Sequence, residues 1–281
     1  MQHQLDEFTD PMIGNDKYLY HYTSLNRAFE HILHEGKLLL ASLKLTNDPR
    51  ESKDWNWTFR NISHEIDIAI PSVEELVTVS SEINLKIKRD CKLCCFSIDD
   101  KTKNLYSGRG WGHPRMWAQY ADKHKGVCLV FDKDKLIETA KKEFSKKGEL
   151  YSEAVNYLSD EDLIYKNAFV IDFKKIDKGS IDHTISELVK KQYKHLFFTK
   201  HTDWKQEVEF RILLRREGND SEFLSIENSI AAIIMGVDFP VTAYQPLIDF
   251  YCKKYKIPYG TMKWHNGKGD LSGHSCTDYE T

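Results

Sequence analysis

The sequence predicts an α+β fold: a single domain with a mixed, mainly antiparallel sheet flanked by helices. Three observations lead there. Short apolar runs with strand character and amphipathic runs of helical period follow one another without strict strand–helix–strand alternation. No linker rich in Pro, Gly or Ser and no internal repeat divides the 281 residues. The composition, 41% hydrophobic, 12% aromatic and 30% charged, supplies one substantial core and is not that of a disordered chain.

The elements follow in order. Residues 1–16 are polar and expected to form a loose arm. Tyr18-Leu19-Tyr20-His21-Tyr22 reads as a strand, after which Thr23 and Ser24 offer capping hydroxyls to a helix in which Leu25, Ala28, Phe29, Ile32 and Leu33 recur at helical spacing. Gly36 ends that helix, and Leu38 to Leu43 is a second strand. Asp48 as cap, Pro49 at the first helical position and Glu51 three residues after the cap start a further helix. Residues 72–90 read as helix, Lys92–Ile98 as strand and 99–112 as a glycine-rich loop. Pro114–His124 reads as helix, with Met116, Trp117, Tyr120 and Ala121 on one side, and Val127–Phe131 as strand. Residues 132–160, charged and poor in large apolar groups, are expected to be a peripheral helical insertion within a domain spanning 17–266. Leu163–Phe173 reads as strand, 181–201 as helix, Glu207–Leu214 and Ala231–Gly236 as strands, and Tyr244–Lys256 as helix. Tyr259–Trp264 closes the sheet, and 267–281 is read as an irregular tail.

Charge and leader signals exclude some functions. A net charge of −3 gives no general attraction to nucleic acid or acidic membrane. The first twenty residues contain acids and no apolar core of a signal peptide, and no run of some eighteen apolar residues occurs, so a cytoplasmic protein is expected. The six cysteines, three of them at Cys91, Cys94 and Cys95, read as reduced core thiols. P-loop, GxGxxG, GxSxG and HExxH motifs are missing.

Two constellations stand out for chemistry. His21, with Tyr22 and Thr23, ends an aromatic strand where a helix begins. Glu207, Glu209 and Arg211 alternate, so on a strand they share one face, opposite Val208, Phe210 and Ile212. Such a row serves either as a charged sheet face or as a pocket wall in which Arg211 holds one carboxylate ionised. Asn47 and Arg50 flank the helix start at Asp48. Trp117 and Tyr120 could stack on a base or sit in the core.

Taken together the pieces resemble an uncharacterised bacterial domain family with the run LYHYTS, NDPxE, CFS, MWxxYxxxHxGxCLxF and WxxExExR, found here at residues 19–24, 47–51, 95–97, 116–131 and 204–211. More distantly, the opening Tyr20-His21-Tyr22-Thr23, helix, Gly36, Leu38 is similar to the start of ADP-ribosyltransferases, and the ExE spacing resembles their arginine-modifying branch. That resemblance implies an ADP-ribosyltransferase-like core with NAD as substrate and no metal. His21 would grip NAD, with Tyr22, Thr23, Asn47, Arg50, Trp117, Tyr120 and Arg211 around it, and Glu209 or Glu207 would act on the ribose. Ser42 or Asn47 would stand in for the middle residue of the family's triad. The acceptor would be nucleic acid, protein or water, and the setting a bacterial toxin or anti-phage effector. Two other readings are carried: a metal-dependent nuclease using Asp48, Glu51, Glu207 and Glu209, and a non-catalytic ligand- or partner-binding module.

Overall fold

A computed structural model describes residues 16–61, 71–103, 105–164, 167–172 and 181–274. The N-terminal arm expected at 1–16 lies almost wholly outside the described residues, as do 275–281. The main body is a ten-stranded sheet built from β1 (Tyr18–Thr23), β2 (Lys37–Ser42), β4 (Cys91–Ser97), β5 (Val127–Asp132), β6 (Glu149–Ala154), β10 (Glu209–Arg215), β11 (Glu222–Ser225), β12 (Ile230–Met235), β13 (Tyr259–His265) and β14 (Lys268–His274). Its order is β11-β2-β4-β1-β5-β12-β13-β14, with β10 beside β4 and β6 beyond β10. Only β12 and β13 pair in parallel within it, so the mixed, mainly antiparallel sheet is observed. Two small parallel pairs lie outside it: β3 (Thr58–Arg60) with β8 (Val170–Asp172), and β7 (Asn156–Leu158) with β9 (Thr199–His201).

The helices are α1 (Arg27–Ile32, π-type, continuing through Leu33–Glu35), α2 (Pro49–Ser52), α3 (Val73–Asp90), α4 (Pro114–Tyr120), α5 (Lys133–Phe144), α6 (Asp160–Ile164), α7 (Ile181–Phe197) and α8 (Val241–Tyr255). None of the described helices is long and apolar enough to cross a membrane. The strand period of two sorts residues between the faces. Leu19, Phe96, Leu129, Phe131, Phe210 and Ile212 pack with Phe29 of α1, Phe144 of α5 and Tyr251 of α8. The opposite face holds two clusters. One joins Leu93 and Leu213 to Trp55, Ile87 of α3 and Val189 of α7; the other joins Tyr20, Tyr22 and Val130 to Trp111, Met116 and Trp117.

Several expectations are corrected. The charged stretch after Asp132 is helical only to Phe144; Glu149–Ala154 is a strand paired along β10 and therefore part of the main sheet. Its charged groups escaped recognition as a strand because Glu149 and Glu153 pair with Arg215, Lys190 and Lys194 instead of facing a core. Leu163–Phe173 is no continuous strand: α6 and a short turn precede the three residues of β8. The tail read as irregular is strand from Lys268 to His274. Asn266 and Gly267, both at positive φ, form the two-residue hairpin turn joining it to β13. Ser24 accepts from the Arg27 amide only at 3.4 Å, and Asn26, at the helix start, makes no side-chain cap. Gly36 ends α1 in the left-handed conformation as expected.

One detail of β4 bears on the site. Its one edge pairs with β10 from end to end, whereas the other is shared: β2 takes Lys92 and Leu93, and β1 takes Ser97. Between them the Cys95 carbonyl accepts from His21 Nδ1 at 3.0 Å, so a side chain stands in for a missing strand partner.

Candidate functional site: a buried carboxylate–cation cluster

The row expected on one straight strand is bent at its start. Thr202–Glu207 is a 3₁₀ turn, Val208 adopts the left-handed conformation (φ 44°), and β10 begins at Glu209. The bend folds two carboxylates that a strand would hold some 7 Å apart onto one ammonium. Lys200 Nζ donates to Glu207 Oε2 at 2.7 Å and contacts Glu209 Oε2 at 2.8 Å. Lys200 comes from β9 and lies 5.1 Å from the ring centre of Trp204. Arg211, on the same face as Glu209, grips it with two bonds, Nε to Oε1 at 2.7 Å and Nη2 to Oε2 at 3.0 Å. Its Nη1 donates to the carbonyl of Phe197 at the end of α7 and stands 2.6 Å from Glu51 Oε1.

Glu51 reaches this place because α2 starts as its sequence dictates: Asp48 Oδ1 accepts from the Arg50 amide at 2.9 Å, with Pro49 at the first helical position. Only half of the expected capping arrangement forms, since the Glu51 carboxylate turns inward to Arg211. Arg50 points to the end of α7, donating to the carbonyls of Thr199 and His195. At the rim, the Tyr120 hydroxyl of α4 donates to Glu207 Oε1 at 2.6 Å, and the exposed Asn47 hydrogen-bonds Tyr120.

The electrostatics follow from burial against pairing. Burial alone would raise the Glu209 carboxyl, but Arg211 and Lys200 outweigh it and hold Glu209 at about 2. Burial disfavours the Lys200 ammonium, yet Glu209, Glu51 and Glu207 keep it well above the usual lysine range. Burial raises Glu51 in spite of Arg211. Three carboxyls, Glu51, Glu207 and Glu209, thus face two cations, Lys200 and Arg211. Glu209 is only 4% exposed and Arg211 0%. Just outside, a cleft of 530 Å³ opens between Asp100, Thr102 and Lys103 on one side and Tyr157, Val208 and Glu209 on the other. The Tyr157 hydroxyl accepts from the Glu209 amide at 2.9 Å.

The cluster unites Glu207, Glu209, Arg211, Tyr120 and Asn47, with Arg50 beside it. His21 is not among them. Tyr20 and Glu209 are each register partners of Ser97, so their side chains share a face of the sheet; His21, next in β1, projects from the other, where its ring meets Phe96 at 5.7 Å. Burial lowers its pKa, and the bond to a carbonyl makes Nδ1 the protonated nitrogen of a neutral ring. Tyr22 and Thr23 are buried, Tyr22 donating to the Gly110 carbonyl at 2.6 Å. Trp117 is 0% exposed, donates to the Trp111 carbonyl at 2.7 Å and packs edge-on to Tyr22, so it offers no stacking face. Ser42 donates to the Lys88 carbonyl at the end of α3. Lys200 was not anticipated; a lone lysine after Phe197-Phe198-Thr199 carries no signal until the fold brings both glutamates to it.

The four carboxylates proposed above for a metal are engaged otherwise: Asp48 in the cap, Glu51 against Arg211, and Glu207 and Glu209 on Lys200. No group of three His, Cys, Asp or Glu among the described residues stands where it could hold a metal ion.

Residues 116–212 match a family model described as a protein of unknown function (DUF2971). The match takes in α4 from Met116 on, Lys200, Glu207, Glu209 and Arg211, and leaves out His21 and Asn47–Glu51. Neither a curated protein nor a solved structure similar to this chain was found.

Proposed function

We propose that the chain cleaves the nicotinamide–ribose bond of NAD, as an ADP-ribosyltransferase or NAD glycohydrolase, at the Glu207–Glu209 cluster. The observation that carries this reading is the pair of carboxylates flanking a left-handed turn, both engaged by Lys200, with Glu209 lining a cleft large enough for a nucleotide-sized ligand and Glu207 next to the cleft-lining Gln206 and Val208. Breaking that bond builds positive charge on the ribose, and a fixed carboxylate stabilises it; the same group accepts a hydrogen bond from the 2′-hydroxyl or deprotonates an incoming nucleophile. Glu207 suits the reacting position better than Glu209. Glu209 spends both oxygens on Arg211, whereas Glu207 meets the surface through one tyrosine hydroxyl that a ribose hydroxyl can replace. Tyr120 and Asn47 form that rim, and the NAD grip is theirs in place of His21. The acceptor is left to experiment.

The saturation of Glu209 and Arg211 favours a second reading, a non-catalytic binding module whose buried ions fix the wall of the cleft. Nicotinamide release from NAD, with and without cell extract, separates the two. Release that is lost in Glu207→Gln, with circular dichroism unchanged, supports the transferase; release only with extract identifies a macromolecular acceptor. No release by wild type under either condition rejects the transferase in favour of the binding module.

A further inference from the structure

Between β4 and α4 the chain doubles back over β1, and residues Tyr106–His113 lie against Tyr20 and Tyr22. Contact is close enough to require glycine: a Cβ on Gly110 would come within 2.1 Å of the Tyr20 ring, and one on Gly112 within 1.9 Å of the Tyr106 carbonyl oxygen. A few ties hold the segment down. Tyr22 donates to the Gly110 carbonyl at 2.6 Å, the Gly110 amide donates to Asp99 Oδ1 at 2.8 Å, and Arg109 pairs with Asp99 at 3.2 Å. Trp111, within the segment, is wholly buried.

The seated position has a specific defect. His113 is 5% exposed, and neither of its ring nitrogens has a hydrogen-bond partner; the indole N–H of Trp111, fully buried, has none either. Water supplies all three bonds when these groups are exposed, so their burial opposes seating. Burial also lowers His113 to about 4, consistent with a ring that gains from exposure.

We propose that Tyr106–His113 is a strap that lifts as a unit from the Tyr20–Tyr22 face, giving His113 and Trp111 to water and baring an aromatic floor of Tyr20, Tyr22 and Trp117. Pro114 begins α4 directly after it, and α4 ends with Tyr120 on Glu207, so lifting pulls on the rim of the carboxylate cluster. The inference is independent of the NAD reading.

Hydrogen exchange read by mass spectrometry tests it on wild type, His113→Phe and Tyr22→Phe. In wild type the amides of 106–113 should exchange at least tenfold faster than those of β1. His113→Phe, which removes two partnerless nitrogens at similar ring size, should slow that exchange roughly tenfold; Tyr22→Phe, which cuts a tie, should speed it by a similar factor. Strap amides as protected as β1 in wild type would overturn the proposal, as would variants shifting in the same direction. Should His113→Phe not fold, the wild-type comparison and Tyr22→Phe decide.

Discussion

Replacing Arg211 by Met keeps side-chain volume and removes the charge on which the cluster depends. Arg211 lies at 0% exposure between Glu209 and Glu51, and without it three buried carboxyls face Lys200 alone. Breaking a buried pair by removing one partner costs about 3–5 kcal/mol, a large part of the roughly 5–15 kcal/mol that holds a domain together. At about 2–4 °C per kcal/mol for chains of this size, the melting temperature should fall by roughly 6–20 °C. The pH dependence gives a sharper test. Glu209 sits at about 2 in the folded protein against an ordinary 4.5, so its contribution is fully present above 4.5 and is lost as pH falls toward 2. Removing Arg211 removes most of that contribution. The wild-type and variant curves should therefore lie furthest apart near neutrality and converge as pH falls below about 4.5. Thermal and urea melts followed by circular dichroism at pH 7 and pH 3.5 measure both effects. A deficit under about 1 kcal/mol at pH 7 would refute the reasoning, because a buried guanidinium pair cannot be so cheap to break. A gap that fails to narrow in acid would show that Glu209 is not held by Arg211.

Burial pushes Cys91 and Cys94 up to about 12 and raises Cys95 and Cys128 well above the usual thiol range, so these thiols should react with an aromatic disulfide at pH 8 at least tenfold more slowly in native protein than in concentrated urea; fast native labelling, located by peptide mapping, would contradict their placement. Gly267→Ala should cost about 1 kcal/mol through its positive φ, although nothing lies within 4 Å of the added methyl. An unchanged urea midpoint would mean that the Asn266-Gly267 turn does not set the hairpin.

What the sequence disclosed depended on how local the cause was. The alternation of Phe210 and Ile212 against Glu209 and Arg211 is a property of seven residues, and the two faces came out as read. The Asp48-Pro49 start of α2 is equally local. Asn266-Gly267 is a strong turn signal, and β14 was still missed because Lys268–His274 offers few apolar residues to mark a strand. Lys200 and the inward turn of Glu51 could not be read at all: each is decided by what lies across the fold. The expected partnership of His21 with the late glutamates failed for a geometric reason. Register through Ser97 places Tyr20, not His21, on their face, and a shift of one residue reverses a side chain.

Arg211 also sets a condition on synthesis. Its contacts reach Glu51 near the beginning of the chain and Phe197 late in it, and β10, which carries it, fills the whole edge of β4. While the chain is still emerging from a ribosome, β4 is made long before β10 and waits with that edge open, and Glu51 waits without its counter-ion. Closing the gap requires a long loop to be brought together at an entropic cost before any contact rewards it. The nascent protein therefore passes through a period in which an apolar strand edge is bare, the state in which chaperone capture or aggregation competes with folding.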